Sequence, residues 1–437
     1  MEGIHMLQME LFERPYTDIH KQNGIKLSFP PVNDPTFAGG LNESVHRWFR
    51  LTPSYSPELV RFLFGWLECD NSTVVLDPFL GKGTTLIECK KLGYPGIGIE
   101  INPLLFEVSK RSTEWEFDLD MLKNTAVQFM KLVEGKIARN RNLTCEQYCE
   151  RNKVKMPIIH NPFRWWKNHA LKNLLILRTL LMTKVPDELR SPFWIALCSS
   201  VIDCANVHRN HPTISFDDNH NRRIDVVEDF KNKLAIVISD LEELAQRKYE
   251  ATVTTFLGDS VGELRNIVKN SIDRVITSPP YPNRFSYIHT TRPQLYFMEL
   301  LDDIGSATEI DLRAVGGTWG RATSVLMNKE IQPHKDIVDV LDFRKELLCR
   351  SVLMCNYATH YFNSMFAHMK MLRPLVSDAF RGAYVVGNSR LSHVDIHTEL
   401  YLAKIFEKAG FRVEEIMFFR RRGGKKRLYE SAVCVRV

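Results

Sequence analysis

The hydrophobic positions of this chain follow two kinds of spacing. Short apolar runs rich in β-branched residues, typical of buried strands, precede Asp77, Glu100 and Thr277 and recur towards the C-terminus. Between residues 104 and 250 the apolar positions recur every three or four residues instead, which is the spacing of helices that bury one face. The pattern therefore predicts an α/β protein whose sheet is interrupted by a large helical insertion.

Changes of pattern give the domain boundaries. Residues 1–43 carry several prolines and little periodicity, so we expect an irregular N-terminal arm. Residues 44–103 and 251–437 are predicted to form one α/β domain, and residues 104–250 the helical insertion. A chain of 437 residues is long enough for one such domain with a large insertion.

The pattern is mixed after residue 300. Residues 301–340 are predicted to form a loop, and a long amphipathic helix is predicted over 341–372. Strands at 383–387, 411–419 and 429–437 complete the sheet in this interpretation.

A ligand-binding turn is predicted between Asp77 and Thr84. A strand ends at Asp77, Gly81 and Gly83 follow, and Thr84 opens a helix. Glycines at such a turn let a ligand approach the backbone, and the helix N-terminus offers free N–H groups. The next strand ends at Glu100, about 20 residues on, where an acid commonly accepts hydrogen bonds from ribose hydroxyls. A nucleoside cofactor therefore fits better than a free phosphate.

A second candidate site is the pentapeptide Thr277-Ser-Pro-Pro-Tyr281. Pro279 and Pro280 fix the backbone and lack N–H groups, so nearby carbonyls stay free to accept hydrogen bonds. Ser278 adds a hydroxyl and Tyr281 adds a flat ring. This acceptor-rich corner suits a planar heterocycle with an exocyclic amino group; a chance Pro-Pro turn is the alternative.

These segments resemble the motifs of the amino-group DNA methyltransferases, which use S-adenosylmethionine. Asp77–Thr85 is similar to their motif I, and Thr277–Tyr281 to their motif IV, whose serine form is typical of cytosine-N4 enzymes. Phe256–Asp259 resembles motif III, and Leu51–Val60 resembles motif X. The order X, I, insertion, IV departs from the commonest permuted order, in which motif IV comes first.

The resemblance implies a Rossmann-like class I methyltransferase fold and methyl transfer to cytosine N4 in specific duplex DNA. The reaction would be a direct displacement after base flipping, within restriction–modification or a related defence system. Ser278 and the Pro279 carbonyl would hold the amino hydrogens, Pro280 would stiffen the corner, and Tyr281 would stack on the base. Catalytic residues are thus expected at Ser278, Pro279, Pro280 and Tyr281.

The resemblance also implies a set of cofactor contacts. The turn would approach the methionine part of the cofactor, Glu100 would take its ribose hydroxyls, and Asp259 its adenine amine. The expected residues are Asp77, Pro78, Phe79, Gly81, Gly83, Thr84, Glu100, Asp259 and Ser278. For Glu100 or Asp259 taken singly, an exposed loop carboxylate is the alternative.

DNA contacts are expected at two places. A cluster of cations surrounds a Gly-Gly turn between the last two strands and predicts phosphate contact, with a solvated hairpin tip as the alternative; its members are Arg420, Arg421, Arg422, Lys425 and Lys426. Arg284 and Tyr287 directly follow motif IV and are candidates for filling the gap left by the flipped base or for touching phosphate, with packing as the alternative.

Two further features bear on DNA recognition. Trp165 and Trp166, flanked by Arg164 and Lys167, fit either a helix core anchor or a DNA-stacking patch. Residues 301–340 and the basic loop 206–223 compete as the region that reads the target sequence.

Composition adds modest limits. A net charge of +6 and a pI near 8.7 fit a polyanionic partner such as duplex DNA. The sequence lacks a run of 18 apolar residues and a signal-like leader, so we expect a cytoplasmic protein and not a membrane protein. The resemblance to DNA methyltransferases implies a nucleoid-associated protein of a bacterium or archaeon. The nine cysteines are scattered, which predicts reduced thiols and no metal site. A cognate restriction endonuclease is the expected partner.

Three rival functions stay open at this stage. Adenine-N6 methylation is the nearest, because it uses the same fold and cofactor. Methylation of RNA or of protein glutamine also uses Pro-Pro-Tyr corners. A non-catalytic subunit that binds cofactor or DNA is the third, although intact motifs I and IV disfavour it.

Overall fold

The computed structural model describes residues 24–208, 214–217, 224–317, 321–328, 330–422 and 428–437. Its described part is built on an eight-stranded sheet in the order β1-β11-β12-β8-β7-β2-β3-β6. The strands of this sheet are β1 (Lys26–Ser28), β2 (Val75–Asp77), β3 (Gly96–Glu100), β6 (Val253–Leu257), β7 (Ile272–Thr277), β8 (Val376–Gly387), β11 (Arg412–Arg421) and β12 (Tyr429–Arg436). Short hairpins pair β4 (Val207–His208) with β5 (Ser215–Phe216), and β9 (Ser389–Leu391) with β10 (Val394–Ile396).

Most neighbouring strands are parallel, and only β12 is antiparallel to its two neighbours within the described sheet. The register sets Leu76 of β2 beside Val275 of β7 and Ile97 of β3. Parallel strands end at the same edge of a sheet, so the residues after β2, β3, β6 and β7 meet there. The predicted Rossmann-like α/β fold is confirmed.

Helices cover the sheet and form the insertion. Those outside the insertion are α1 (Pro57–Trp66), α2 (Thr84–Leu92), α10 (Tyr287–Phe297), α11 (Ile304–Arg313), α12 (Arg321–Asn328), α13 (Arg344–Arg350), α14 (Val352–Leu372) and α15 (Thr398–Lys408). Those of residues 103–250 are α3 (Pro103–Arg111), α4 (Leu119–Arg139), α5 (Cys145–Asn152), α6 (Pro162–Trp165), α7 (Asn168–Lys184), α8 (Arg190–Asp203) and α9 (Val226–Leu244). Among the described helices, none combines the length and apolar character that a bilayer span requires.

The helical region has a dense aromatic core that continues into the sheet domain. The ring of Phe129 lies 5.2 Å from that of Phe193 and 5.7 Å from that of Phe230. Trp166 is fully buried with its ring 6.0 Å from Phe297 of α10, just downstream of β7. Apolar spacing therefore identified these helices, and their packing places α6 and α7 beside the segment that follows motif IV.

Two predictions of local structure after residue 300 were wrong. The predicted loop 301–340 contains α11 and α12, and the predicted helix 341–372 is two helices, α13 and α14. Asp303 begins α11 by accepting hydrogen bonds from the N–H groups of Gly305 and Ser306, which caps the helix. Ser351 breaks the longer helix because its backbone is extended, with φ of −162°, and its side chain caps α14.

Candidate active site

A cavity of about 220 Å³ opens at the edge where β2, β3, β6 and β7 end. The segment before α1, the turn after β2, the corner after β7 and helix α11 together form its walls. The sequence-predicted residues that line it are Pro78, Phe79, Gly81, Thr84, Glu100, Asp259, Ser278, Pro280 and Tyr287. Gly81 and Pro280, which are about 200 residues apart in the sequence, therefore face one cleft.

Asp77 lies beneath this cavity and does not line it. Its carboxylate is fully buried and accepts hydrogen bonds from the Thr277 hydroxyl at 2.6 Å, the Thr85 hydroxyl at 2.5 Å and the Tyr55 hydroxyl at 3.2 Å. The N–H of Phe79 adds a fourth bond at 3.1 Å. Burial raises the pKa of this carboxyl, while these hydrogen bonds oppose the rise. Asp77 thus fastens the turn after β2 to the end of β7, and its predicted contact with the cofactor stays a prediction.

The turn after β2 requires its glycines. Gly81 and Gly83 have φ of +56° and +93°, in the left-handed region that favours glycine. A Cβ on Gly83 would lie 2.8 Å from the Cβ of Ser109 in α3, so this residue packs against a neighbouring helix and not against the cavity. Thr84, the first residue of α2, lines the cavity, and its buried hydroxyl has no hydrogen-bond partner among the described residues. The turn therefore presents an uncommitted polar atom to a ligand.

Glu100 stands at the end of β3 on the same wall. Its two carboxylate oxygens accept hydrogen bonds from the N–H groups of Gly81 at 2.7 Å and Asn102 at 2.8 Å. Burial raises the pKa of this carboxyl to about 7, against the effect of those N–H groups. A carboxylate so placed has lone pairs left for ribose hydroxyls.

Asp259 follows β6 and is held by a partner that sequence reasoning missed. One oxygen accepts from the N–H groups of Val261 at 3.1 Å and Gly262 at 2.8 Å, and the other accepts from the Arg313 guanidinium at 2.9 Å. Burial favours the neutral acid, but the hydrogen bonds from Arg313 and the two N–H groups outweigh it and lower the pKa. Arg313 ends α11, inside the segment predicted as a loop, so the sequence offered no signal for this pair.

The corner after β7 is held mainly by residues that do not line the cavity. Pro279 is buried, whereas Ser278 and Pro280 face the cavity. The Tyr281 hydroxyl donates to Glu430 at 2.8 Å, and the Arg422 guanidinium lies 5.1 Å from the centre of the Tyr281 ring. Burial raises the pKa of the Tyr281 phenol, so it stays protonated and donates. Tyr281 is thereby held in place, and its predicted stacking on a base stays a prediction.

The predicted DNA contacts lie in different surroundings. Arg284 is exposed, and its backbone N–H donates to the Tyr357 hydroxyl at 3.0 Å. Tyr287 begins α10 at the cavity wall, where burial raises the pKa of its phenol. Arg420 donates to Glu430 at 2.5 Å, and Arg421 lies 6.0 Å from the ring of Tyr429.

Arg422 also contacts the protein itself, because it donates to the carbonyls of Tyr429 and Asn388. The predicted residues Lys425 and Lys426 lie outside the described residues, as do most of the basic residues of loop 206–223. Phosphate contact by the cation cluster at 420–426 stays a prediction.

Helix α14 supplies further residues that no motif indicated. His368 is fully buried; its Nε2 lies 2.9 Å from the Tyr384 hydroxyl and its Nδ1 3.2 Å from the carbonyl of Ser260, next to Asp259. Its ring also lies 5.1 Å from that of Phe79, and burial lowers its pKa to about 4. A neutral His368 therefore supports two walls of the cavity at once.

The residues present fit a nucleoside cofactor. Glu100 and Asp259 provide acidic acceptors at neighbouring strand ends, and Phe79 and Ile99 provide apolar walls between the polar groups. The partnerless hydroxyl of Thr84 and the open N-terminus of α2 suit the polar end of such a ligand.

Comparison with known proteins agrees with this site. A family model described as DNA methylase matches residues 55–111, which include the turn after β2 and Glu100. The chain is 26% identical over 278 residues to the Type II methyltransferase M.BsoBI of Geobacillus stearothermophilus, a match that covers 60% of this chain and 54% of that protein.

Two longer matches cover most of the chain. M.AvaI of Nostoc sp., a Type II methyltransferase, is 22% identical over 422 residues, covering 87% of this chain and 82% of the relative. M.MvaI of Kocuria varians, also a Type II methyltransferase, is 20% identical over 432 residues, covering 92% and 90%. With motifs I and IV on one cleft of a Rossmann-like sheet, these matches support the resemblance of the chain to the amino-group DNA methyltransferases.

Proposed function

We propose that this protein transfers a methyl group from S-adenosylmethionine to N4 of cytosine in duplex DNA. The observation that carries the proposal is that Gly81, Ser278 and Pro280 line one cleft, which supports a turn for the cofactor beside a corner for the amino group. The Type II methyltransferase relatives support the same reaction class.

The cofactor would lie along the strand ends. Glu100 would accept from the ribose hydroxyls and Asp259 from the adenine amine, which puts the methionine part near the segment before α1. Leu51, Ser54 and Tyr55 of that segment line the cavity and lie within the sequence that resembles motif X. When bound, S-adenosylmethionine supplies a methyl group already activated by the sulfonium.

The corner after β7 would act by positioning. The cytosine amino group is a weak nucleophile because its lone pair is delocalised into the ring. The Ser278 hydroxyl and the Pro279 carbonyl would accept its two hydrogens and direct the lone pair at the methyl carbon. No covalent enzyme intermediate is needed for such a displacement, so alignment supplies most of the acceleration.

The target base must leave the duplex to enter this cavity. Extrusion costs a few kcal/mol, which contacts inside the pocket would offset. A duplex with 2-aminopurine at the target position should brighten when the protein binds. A signal that stays unchanged at saturating protein would contradict flipping.

The test of the whole proposal is nucleoside analysis. Purified protein, labelled S-adenosylmethionine and duplex DNA should give N4-methylcytosine after digestion and mass spectrometry. N6-methyladenine as the labelled product would overturn the cytosine assignment, and label in RNA but not in DNA would overturn the substrate class. The variant Ser278→Ala serves as the control, because it should transfer methyl at a much lower rate while Glu100 and Asp259 still bind S-adenosylhomocysteine.

The protein would act in a restriction–modification system with a cognate endonuclease. Support comes from the Type II designation of its relatives. DNA methylated by this protein should then resist cleavage by that endonuclease.

A further inference from the structure

A second cavity, of about 400 Å³, adjoins the active site. It lies where helix α6 and strand β5 of the helical region meet α10 and α11. Ile288 and Asp311 line both cavities, so the two are neighbours through shared side chains. We call it the arginine cavity; the residues that define it here are Arg164, Trp165, Phe216, Ser286, Arg292 and Tyr296.

Each of the two arginines places its guanidinium over an aromatic ring. The Arg164 guanidinium is 3.9 Å from the centre of the Phe216 ring, and the Arg292 guanidinium is 5.4 Å from the Trp165 ring. A guanidinium stacked on a ring keeps its N–H edge free for an acceptor. Among the described residues, neither arginine forms an ion pair, and the buried Nε of Arg292 has no hydrogen-bond partner.

The lining has an excess of positive charge. Asp311 is the one carboxylate among the described lining residues, and it accepts a hydrogen bond from the Ser286 hydroxyl at 2.6 Å. Two guanidinium groups against one carboxylate in the same cavity favour an anion that accepts several hydrogen bonds. Trp165 is buried at 2% exposure and Tyr296 at 4%, so the walls beside the cations are flat and apolar.

A nucleotide of DNA has this combination of groups. Its phosphodiester matches the arginine edges, and its sugar or base matches the aromatic walls. A strand whose target base occupies the active-site cavity would continue past Ile288 and Asp311, which line both cavities.

We propose that the arginine cavity binds the phosphodiester of the nucleotide next to the target base, with Arg164 and Arg292 as its contacts. The proposal rests on the proposed function and adds to it a site that orients the DNA strand. It also gives the Trp165 patch both roles considered from the sequence, since this side chain is a core residue and a cavity wall.

The experiment uses full-length Arg164→Gln, Arg292→Gln and the double variant. Glutamine removes the charge while keeping a polar chain of similar reach. The matched control is Lys131→Gln, because Lys131 is an exposed cation of α4 that lines neither cavity. DNA affinity is measured over a range of salt concentrations, and binding of S-adenosylhomocysteine is measured in parallel.

The double variant should lower the slope of log affinity against log salt by about 1, because one neutralised phosphate accounts for about one released counterion, and each single variant should lower it by part of that amount. The control variant should keep the wild-type slope, and all variants should bind S-adenosylhomocysteine as the wild type does. A double variant with the wild-type slope and KM for DNA would overturn the proposal.

A second measurement uses only wild-type protein, so its result does not depend on whether a variant folds. In wild-type protein, one neutral methylphosphonate beside the methylated base should weaken binding about tenfold, and a methylphosphonate several nucleotides away should not. Equal effects at the two positions would also overturn the proposal. Failure of the proposed function is distinct, since wild-type protein would then transfer no methyl to cytosine in DNA at all.

Discussion

The turn after β2 and the corner after β7 form opposite sides of one cavity, but they are held in different ways. The turn is closed by nearby chain: Gly81 donates to Glu100, 19 positions on, and Gly83 packs against Ser109. The corner depends on distant chain: Tyr281 donates to Glu430, 149 positions on. The cofactor side is therefore encoded locally, while the base side depends on the assembled sheet.

Asp77 belongs to both sides. It accepts hydrogen bonds from Thr85, in the first turn of α2, and from Thr277, which ends β7 200 positions after Asp77. A single buried carboxylate thus ties the two halves of the site together.

The largest effect is expected from Asp77→Ala. The change leaves the hydroxyls of Thr85, Thr277 and Tyr55 without their acceptor, so the free energy of unfolding should fall by about 3 kcal/mol or more. Binding of S-adenosylhomocysteine and methyl transfer should both weaken.

Denaturant unfolding measures the change in stability, and calorimetry measures the change in binding of S-adenosylhomocysteine. Asp70→Ala is the control, because Asp70 bonds only within its own exposed turn in the described structure. Lost binding with unchanged stability would instead indicate direct contact of Asp77 with the cofactor.

The next largest effect is expected in the turn after β2, where Gly83 can be compared with Gly93, a glycine of nearly the same backbone conformation. Gly83 and Gly93 have φ of +93° and +87°, but a Cβ on Gly93 would meet no atom within 4 Å. Each alanine variant should lose about 1 kcal/mol from strain. Gly83→Ala should lose about 1–2 kcal/mol more through its contact with Ser109. Equal shifts of the unfolding midpoint in the two variants would contradict this account of the turn.

A smaller effect is expected in the pH dependence of cofactor binding. The pKa of Glu100 is raised to about 7, so below that pH the acid is protonated and its acceptor capacity for ribose falls. Affinity for S-adenosylhomocysteine should rise up to about tenfold per pH unit as pH increases towards 7, then level off.

Two variants separate Glu100 from its neighbour. Glu100→Gln should lose this pH dependence. Asp259→Asn should weaken binding by the same factor at each pH above 6, because the pKa of Asp259 is already lowered.

Burial, which raises the pKa of Glu100, also makes the stability of the folded protein depend on pH. A carboxyl whose folded pKa exceeds its unfolded value favours folding at low pH, and this contribution disappears as pH rises from about 4.5 to about 7. Without cofactor, Glu100→Gln should therefore gain stability relative to the wild type between pH 5 and pH 8. Thermal unfolding at the two pH values measures the difference.

The smallest effect is expected on the base side from Tyr281→Phe. The change removes the bond to Glu430 and leaves the ring beneath Arg422, so kcat should fall about fivefold, equivalent to about 1 kcal/mol. Binding of S-adenosylhomocysteine should stay as in the wild type. Tyr401→Phe is the control, since it removes a similar bond to Asp342 outside the cavity. A fall in cofactor affinity would show that the two sides are coupled through Tyr281 as well.

Sequence reasoning was accurate where the signal is local. Apolar runs and helical spacing predicted the sheet and the insertion, because burial of one face imposes a period on the chain. Glu100 and Asp259 follow neighbouring parallel strands, which end at one edge of the sheet. The prediction of a loop at 301–340 was wrong because Asp303 caps a helix, α11, inside this segment.

The amino-acid sequence by itself determined the motifs, the order of strands and helices, and the residue types that suit a methyl-transfer site. The tertiary structure alone decided which of them touch: that Arg313 neutralises Asp259, that His368 supports Phe79, and that Asp77 lies below the cavity. Such contacts join side chains 54 to 289 positions apart, and no local period of the chain encodes a distance of that kind.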